Sequence, residues 1–207
     1  MKRVLLLNPP GRKFHIRDLF CGKTSKTRRL NHPLDLLMLS GRLSECCDVG
    51  FIDAIAEGLT AERCRERIIK MQPDVIVWFT GIVSYREDFA FMRELRASLA
   101  PFVSVSLGDV FFENGSRILE QNDFIDAVLC DYVSDDIIRY LDGEYTTMHN
   151  VLYRHNGKVI DSGIQRDAGK EYTLPPLFIN KRCIFPFIFF ASFLRVREIV
   201  KRILRLR

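Results

Sequence analysis

A chain of 207 residues, 47% hydrophobic and 28% charged, is long enough for one well-buried domain plus an appendage. Its net charge of +5 is unevenly placed: residues 181–207 hold 8 Lys/Arg against 1 Glu, and residues 11–32 hold 7 basic residues against 1 acidic one. The remaining body is mildly acidic, a pattern that excludes a broad nucleic-acid face and points to two local contact surfaces. Six cysteines, at 21, 46, 47, 64, 130 and 183, show neither CxxC nor CxxxCxxC spacing. They read as reduced core residues of a cytosolic protein. The apolar run in Met1 to Asn8 is too short for a signal peptide and reads as a first strand.

In chain order, Arg3 to Leu7 is a strand broken by Asn8-Pro9-Pro10-Gly11. A basic loop to His32 follows, unusually long for a compact domain and of the kind that more often serves function. Pro33 starts a helix with Leu36, Leu39 and Leu43 on one face, and Val49 to Ile52 is a second strand ended by Asp53. Ala61, Cys64, Ile68 and Met71 make an amphipathic stripe. Val75 to Phe79 is then a buried strand, stopped by Thr80-Gly81 and feeding a helix with Phe89, Met92, Leu95 and Leu99 inward. Phe102 to Leu107 is a fourth strand ended by Gly108-Asp109, and Phe111 to Glu120 is a helix. Ile125 to Cys130 is a fifth strand, and Val133 to Leu141 is a helix closed by Gly143.

Strands alternating with helices predict an α/β domain over residues 1–145, a doubly wound five-stranded parallel sheet of flavodoxin-like order 2-1-3-4-5. Residues 146–180 follow as a β-hairpin turning near Asn156-Gly157 and a linker at Leu174-Pro175-Pro176. Residues 181–207 are a hydrophobic and basic tail. Within it, Cys183 to Leu194 falls short of the ~20 apolar residues that span a bilayer. Over 193–207 a basic amphipathic helix can rest on an anionic membrane surface, dock on a partner, or simply cover an apolar patch.

Gly22-Lys23-Thr24 resembles part of a phosphate loop, but Arg17 stands where its first glycine belongs. A phospho-acceptor carboxylate is also missing, since Thr80 stands at the end of strand three. His15, His32, His149 and His155 are scattered and read as polar surface residues; Trp78 reads as core. Asp135 and Asp136 fit the first turn of a helix, where carboxylates favour the dipole, so with Asp131 they need not be metal ligands. What remains is the crevice where the strand order reverses, which gathers Asn8, Pro9 and Pro10, then Thr80, Gly81, Ile82 and Val83, then Gly108 and Asp109. Glycines there let backbone approach a flat ligand, and Thr80 can hydrogen-bond without adding charge. Such an edge suits a large, mostly uncharged cofactor better than acid–base chemistry.

Several motifs in this order form a family resemblance. They are Asn8-Pro9-Pro10, Pro33-Leu34-Asp35-Leu36-Leu37, Phe51-Ile52-Asp53-Ala54, Pro73-Asp74-Val75-Ile76 with Thr80, and the Tyr153-Arg154 to Gly157-Lys158 hairpin. Together, over residues 3–180, the chain resembles the cobalamin-binding domain of radical S-adenosylmethionine enzymes. The resemblance implies a Rossmann-like domain that holds a corrinoid on this crevice and presents it to a barrel with an iron–sulfur cluster, commonly for methyl transfer. Such domains lack the DxHxxG ligand motif, as this chain does, so no histidine or other metal ligand and no catalytic residue is expected. Where the family shows a glycine pair and Gly-Glu, this chain has Gly108-Asp109 and Cys130-Asp131, which puts Cys130 and Asp131 at the cofactor site and side chains where backbone would approach. The CxxxCxxC cluster motif is missing, so the expectation is either a stand-alone module whose partner is a separate radical enzyme or a truncated relative whose tail has drifted. The expectation is a corrinoid-binding module, cytoplasmic or peripheral to a membrane. The alternative is a cofactor-free interaction or membrane-associated adaptor on the same fold.

Overall fold

The computed structural model describes residues 1–17, 22–25, 33–99 and 101–165. The linker and tail, and with them Cys21, His32 and Cys183, lie outside the described residues. Five parallel strands form the centre: β1 (Arg3–Asn8), β4 (Asp48–Asp53), β5 (Val75–Phe79), β6 (Val103–Leu107) and β7 (Ala127–Leu129). They stand in the order β4-β1-β5-β6-β7, with the reversal between β1 and β5. The apolar runs that mark β1 and β5 are fully buried because both are covered on two faces.

Alternation along the strands divides the core. Val4, Leu6, Val75, Val77 and Phe79 face α1 (Leu34–Leu43) and α5 (Asp136–Asp142), whose Leu36, Leu39, Leu43 and Ile137 pack on them. Leu5, Leu7, Ile76 and Trp78 face the opposite layer, α2 (Ala61–Met71), α3 (Tyr85–Ser98) and α4 (Gly115–Gln121). Trp78 is buried between Phe89 and Phe124 and donates Nε1–H to Ser104 Oγ at 3.0 Å, which satisfies its one polar atom.

Three features differ from the sequence expectation. The basic loop contains a small antiparallel ladder, β2 (His15–Ile16) with β3 (Lys23–Thr24). The helix expected from Phe111 begins only at Gly115, after a 3-10 turn over Asp109–Phe111. The hairpin of β8 (Val151–His155) and β9 (Lys158–Asp161) also joins the main sheet, β8 pairing antiparallel with β7, so the sheet has seven strands. Its turn is the expected one: Asn156 and Gly157 both have positive φ, at 49° and 75°, the conformation a two-residue primed turn demands. No helix among the described residues is long and apolar enough to cross a membrane.

Candidate functional site

At the carboxyl ends of β1, β5 and β6 the sequence-predicted residues do come together. Asn8 closes β1 opposite Asp53 of β4, and the Thr80 amide donates to Leu107 O at 2.9 Å. Gly108 holds this approach: its φ of 148° is unusual for a side-chain-bearing residue, and a Cβ there would lie 1.9 Å from Thr80 O. Asn8, Pro9, Pro10, Thr80, Gly81 and Gly108 are all buried.

The crevice is neither neutral nor open. Arg17, from the basic loop, enters it with its side chain shielded from solvent and meets Asp88, the equally buried carboxylate on the first turns of α3. Arg17 Nε donates to Asp88 Oδ2 at 3.1 Å and Ser84 Oγ at 3.2 Å, Nη2 to Asp88 Oδ1, and Nη1 to Asn8 Oδ1 at 2.8 Å and Pro9 O at 3.0 Å. Asp88 Oδ2 also accepts from Thr80 Oγ1 at 2.8 Å and Ser84 Oγ at 2.7 Å. Asn8 Nδ2 in turn donates to Asp53 Oδ1 at 2.8 Å. Burial raises the Asp53 carboxyl above its usual range, while the Ala56 amide, Asn8 and Arg17 oppose the shift. Thr80, expected to face a ligand, is therefore committed to Asp88.

A second tie closes the loop from above. Asp109 Oδ2 accepts from the Gly22 amide at 2.7 Å, and its Oδ1 accepts from the Ile82 amide at 2.8 Å. A Cβ on Gly22 would lie 3.0 Å from Asp109 Oδ2 and 3.4 Å from Gly81 Cα, so the bare glycine lets this loop sit close on Asp109 and Gly81. His15, read from sequence as a surface residue, is buried beneath the same loop, 3.6 Å from Glu87. Burial lowers its pKa, Arg17 lowers it further, and Asp88 and Glu87 oppose. Ile82 and Val83 remain exposed on the rim, at 61% and 45%.

The chain shares its fold with part of a cobalamin-dependent S-adenosylmethionine radical enzyme. That enzyme, OxsB, matches in the form with aqua-cobalamin and S-adenosylmethionine bound at a TM-score of 0.61 and 16% identity, over 80% of this chain and 22% of OxsB. The aqua-cobalamin form matches at 0.60 and 16%, over 80% and 23%. The apo, selenomethionine-labelled form matches at 0.56 and 19%, over 83% and 23%. This chain thus spans under a quarter of OxsB, and at such identities the likeness speaks for the fold alone. No family model matches the chain, and no curated protein matches it.

Against that fold, the β1–β5 slot does not fit a macrocycle entering edgewise, because Arg17 and its ring of partners occupy it. The rim above fits better: Ile82 and Val83 present apolar surface there, and Asp109 fixes the backbone beneath them. Cys130 and Asp131 have their partners elsewhere. The Cys130 amide donates to Asn150 O at 2.8 Å, and burial pushes its thiol up to about 11. Asp131 turns back on its own loop, accepting from the Val133 amide at 2.9 Å. Asp136 likewise serves structure, accepting from Asn150 Nδ2 at 2.9 Å and the His149 amide at 3.0 Å.

Sequence reasoning missed Arg17, Ser84 and Asp88. A signal was present: Tyr85, Asp88, Met92, Leu95 and Leu99 share one helical stripe, and a carboxylate on an inward stripe must find a cation.

Proposed function

We propose that this chain is a corrinoid-binding module of the kind used by cobalamin-dependent radical S-adenosylmethionine enzymes, with the macrocycle lying flat on the carboxyl rim. The supporting observation is the Ile82–Val83 pair, two exposed aliphatic side chains at the mouth of the central strand of this fold. Two neighbouring water-exposed aliphatics, with the Ile82 amide pinned by the Asp109 carboxylate, suit the apolar face of a large ring. A bound corrinoid would supply a cobalt centre for methyl transfer, and a separate radical enzyme would supply the iron–sulfur chemistry. Ile82, Val83 and the backbone at Asp109 would hold it.

The test is retention of hydroxocobalamin after desalting, read by visible absorbance. Wild type should keep close to one equivalent, and a variant with both Ile82→Asp and Val83→Asp should keep little. A wild-type chain that emerges colourless rejects the reading.

One observation favours the second reading, a cofactor-free adaptor: the Arg17–Asp88 pair fills the crevice with the chain's own groups. In that reading the basic segment at 193–207 makes the contact, with a membrane surface or a protein. Flotation with anionic vesicles, with and without residues 183–207, separates the two: tail-dependent flotation by a chain that retains no corrinoid supports the adaptor.

A further inference from the structure

Beside the filled crevice lies an open groove of about 810 Å³, between the loop after β5, the turn after β6, and the flanks of α3 and α4. Its floor is apolar, formed by Phe89, Val110 and Ile118, and Phe112 stands on its rim at 52% exposure. Three guanidiniums border it: Arg86 and Arg93 from α3 and Arg117 from α4. Two of them are held in place. Arg93 lies 4.9 Å from the Phe124 ring and donates to Asn122 Oδ1 at 3.3 Å, and Arg86 donates to Tyr85 Oη at 3.2 Å. Arg117 is exposed and unengaged by the bonds that fix the other two. The acids bordering the groove are Asp109 and Glu113, so its lining carries one net positive charge. Asp109 is also the acid whose two oxygens already accept from the Gly22 and Ile82 amides.

We propose that this groove is a binding site for a flat aromatic anion, one whose ring lies on the Phe89–Ile118 floor against Phe112 while its carboxylate, sulfonate or phosphate faces the arginines. The chemistry is that of planar guanidiniums, which pair with oxyanions and also stack on rings, above an apolar floor. Its volume falls within the range of small-molecule pockets, and its mouth lies at the carboxyl edge of a parallel sheet, where α/β domains place their ligands. The groove shares Ile82 and Asp109 with the rim proposed for the corrinoid, but Phe112 and Arg117 lie outside the residues proposed to hold that ring, so different variants test the two readings.

The test uses two dyes that differ in charge. With the full chain, 8-anilinonaphthalene-1-sulfonate should bind saturably at one site, and Arg117→Glu should weaken it by about fivefold or more, the scale of one charge contact near a surface. The uncharged counterpart N-phenyl-1-naphthylamine should change by less than about twofold in that variant, while Phe112→Ser should weaken both dyes. Arg117→Gln and Phe112→Leu serve as milder variants, and unchanged melting temperatures establish that each is folded. Absence of a saturable site overturns the proposal. So does an Arg117→Glu variant that binds the sulfonate as well as wild type, or one that loses both dyes equally.

Discussion

Arg17 and Asp88 are each shielded from water, and such a pair gains little over an apolar one but costs much when halved. Arg17→Ala would leave Asp88 facing only Thr80 and Ser84, two hydroxyl donors, for a full charge. Truncating one partner of a buried ion pair typically costs 3–5 kcal/mol, so urea denaturation of Arg17→Ala should show a loss of about that size. Arg17→Met with Asp88→Leu should recover a large part of it, because no uncompensated charge remains. Recovery should be incomplete, since Asn8, Thr80 and the Pro9 carbonyl each lose a partner and Ser84 loses two. Should the single variant lose less than about 1 kcal/mol, the pair is not what holds the loop to the sheet. The charge at position 17 was visible in the sequence; its burial was not. A loop with 7 basic residues reads as solvated, and nothing local distinguishes the one guanidinium that turns inward.

Among the elements, those governed by periodicity were the most legible. The runs Val4–Leu7 and Val75–Phe79, and the stripes of α1 and α2, were readable because burial on two faces or one leaves a direct trace in residue type. Thr60 accepts from the Arg63 amide at 3.3 Å and Gln72 adopts a left-handed cap at φ 46°, so α2 starts and stops where its stripe does. The region after β6 was less legible because its geometry is set by one backbone approach. Gly108 passes so close to Thr80 that the chain must turn before a helix can start, which delays α4 to Gly115. Gly108→Ala should therefore destabilise by more than about 3 kcal/mol, as a displaced backbone in a packed sheet does. Gly143→Ala is the comparison: φ is 80° but nothing lies within 4 Å of an added Cβ, so its cost should be about 1–2 kcal/mol, the left-handed penalty alone. Equal melting temperatures for the two variants would mean that the β5–β6 approach is not sterically tight.

For the whole molecule, the decisive feature is where the parallel domain ends. The change of period after Gly143 is plain in the sequence, but whether a hairpin stands apart or extends a sheet depends on which strand edge is left open, a property of the assembled fold. Here β7 has only three residues, and its outer edge is taken by β8 through Ala127–Tyr153, Val128–Leu152 and Leu129–Val151. Leu152 packs so closely on α4 that a Cβ on Gly115 would lie 2.5 Å from its Cδ1. Arg154 also donates to the Leu119 carbonyl near the end of α4. Val151, Leu152 and Tyr153 are buried, and each aliphatic side chain so buried contributes about 1.5–3 kcal/mol. A chain cut after residue 145 would lose those contributions and expose β7 as an unpaired edge, which invites aggregation. Residues 1–165 should express as a folded protein with a cooperative thermal transition, and residues 1–145 should aggregate or melt without cooperativity. A soluble, cooperative 1–145 would mean that β7 holds its place on β6 alone, and the hairpin would then be an addition to the sheet instead of its completion.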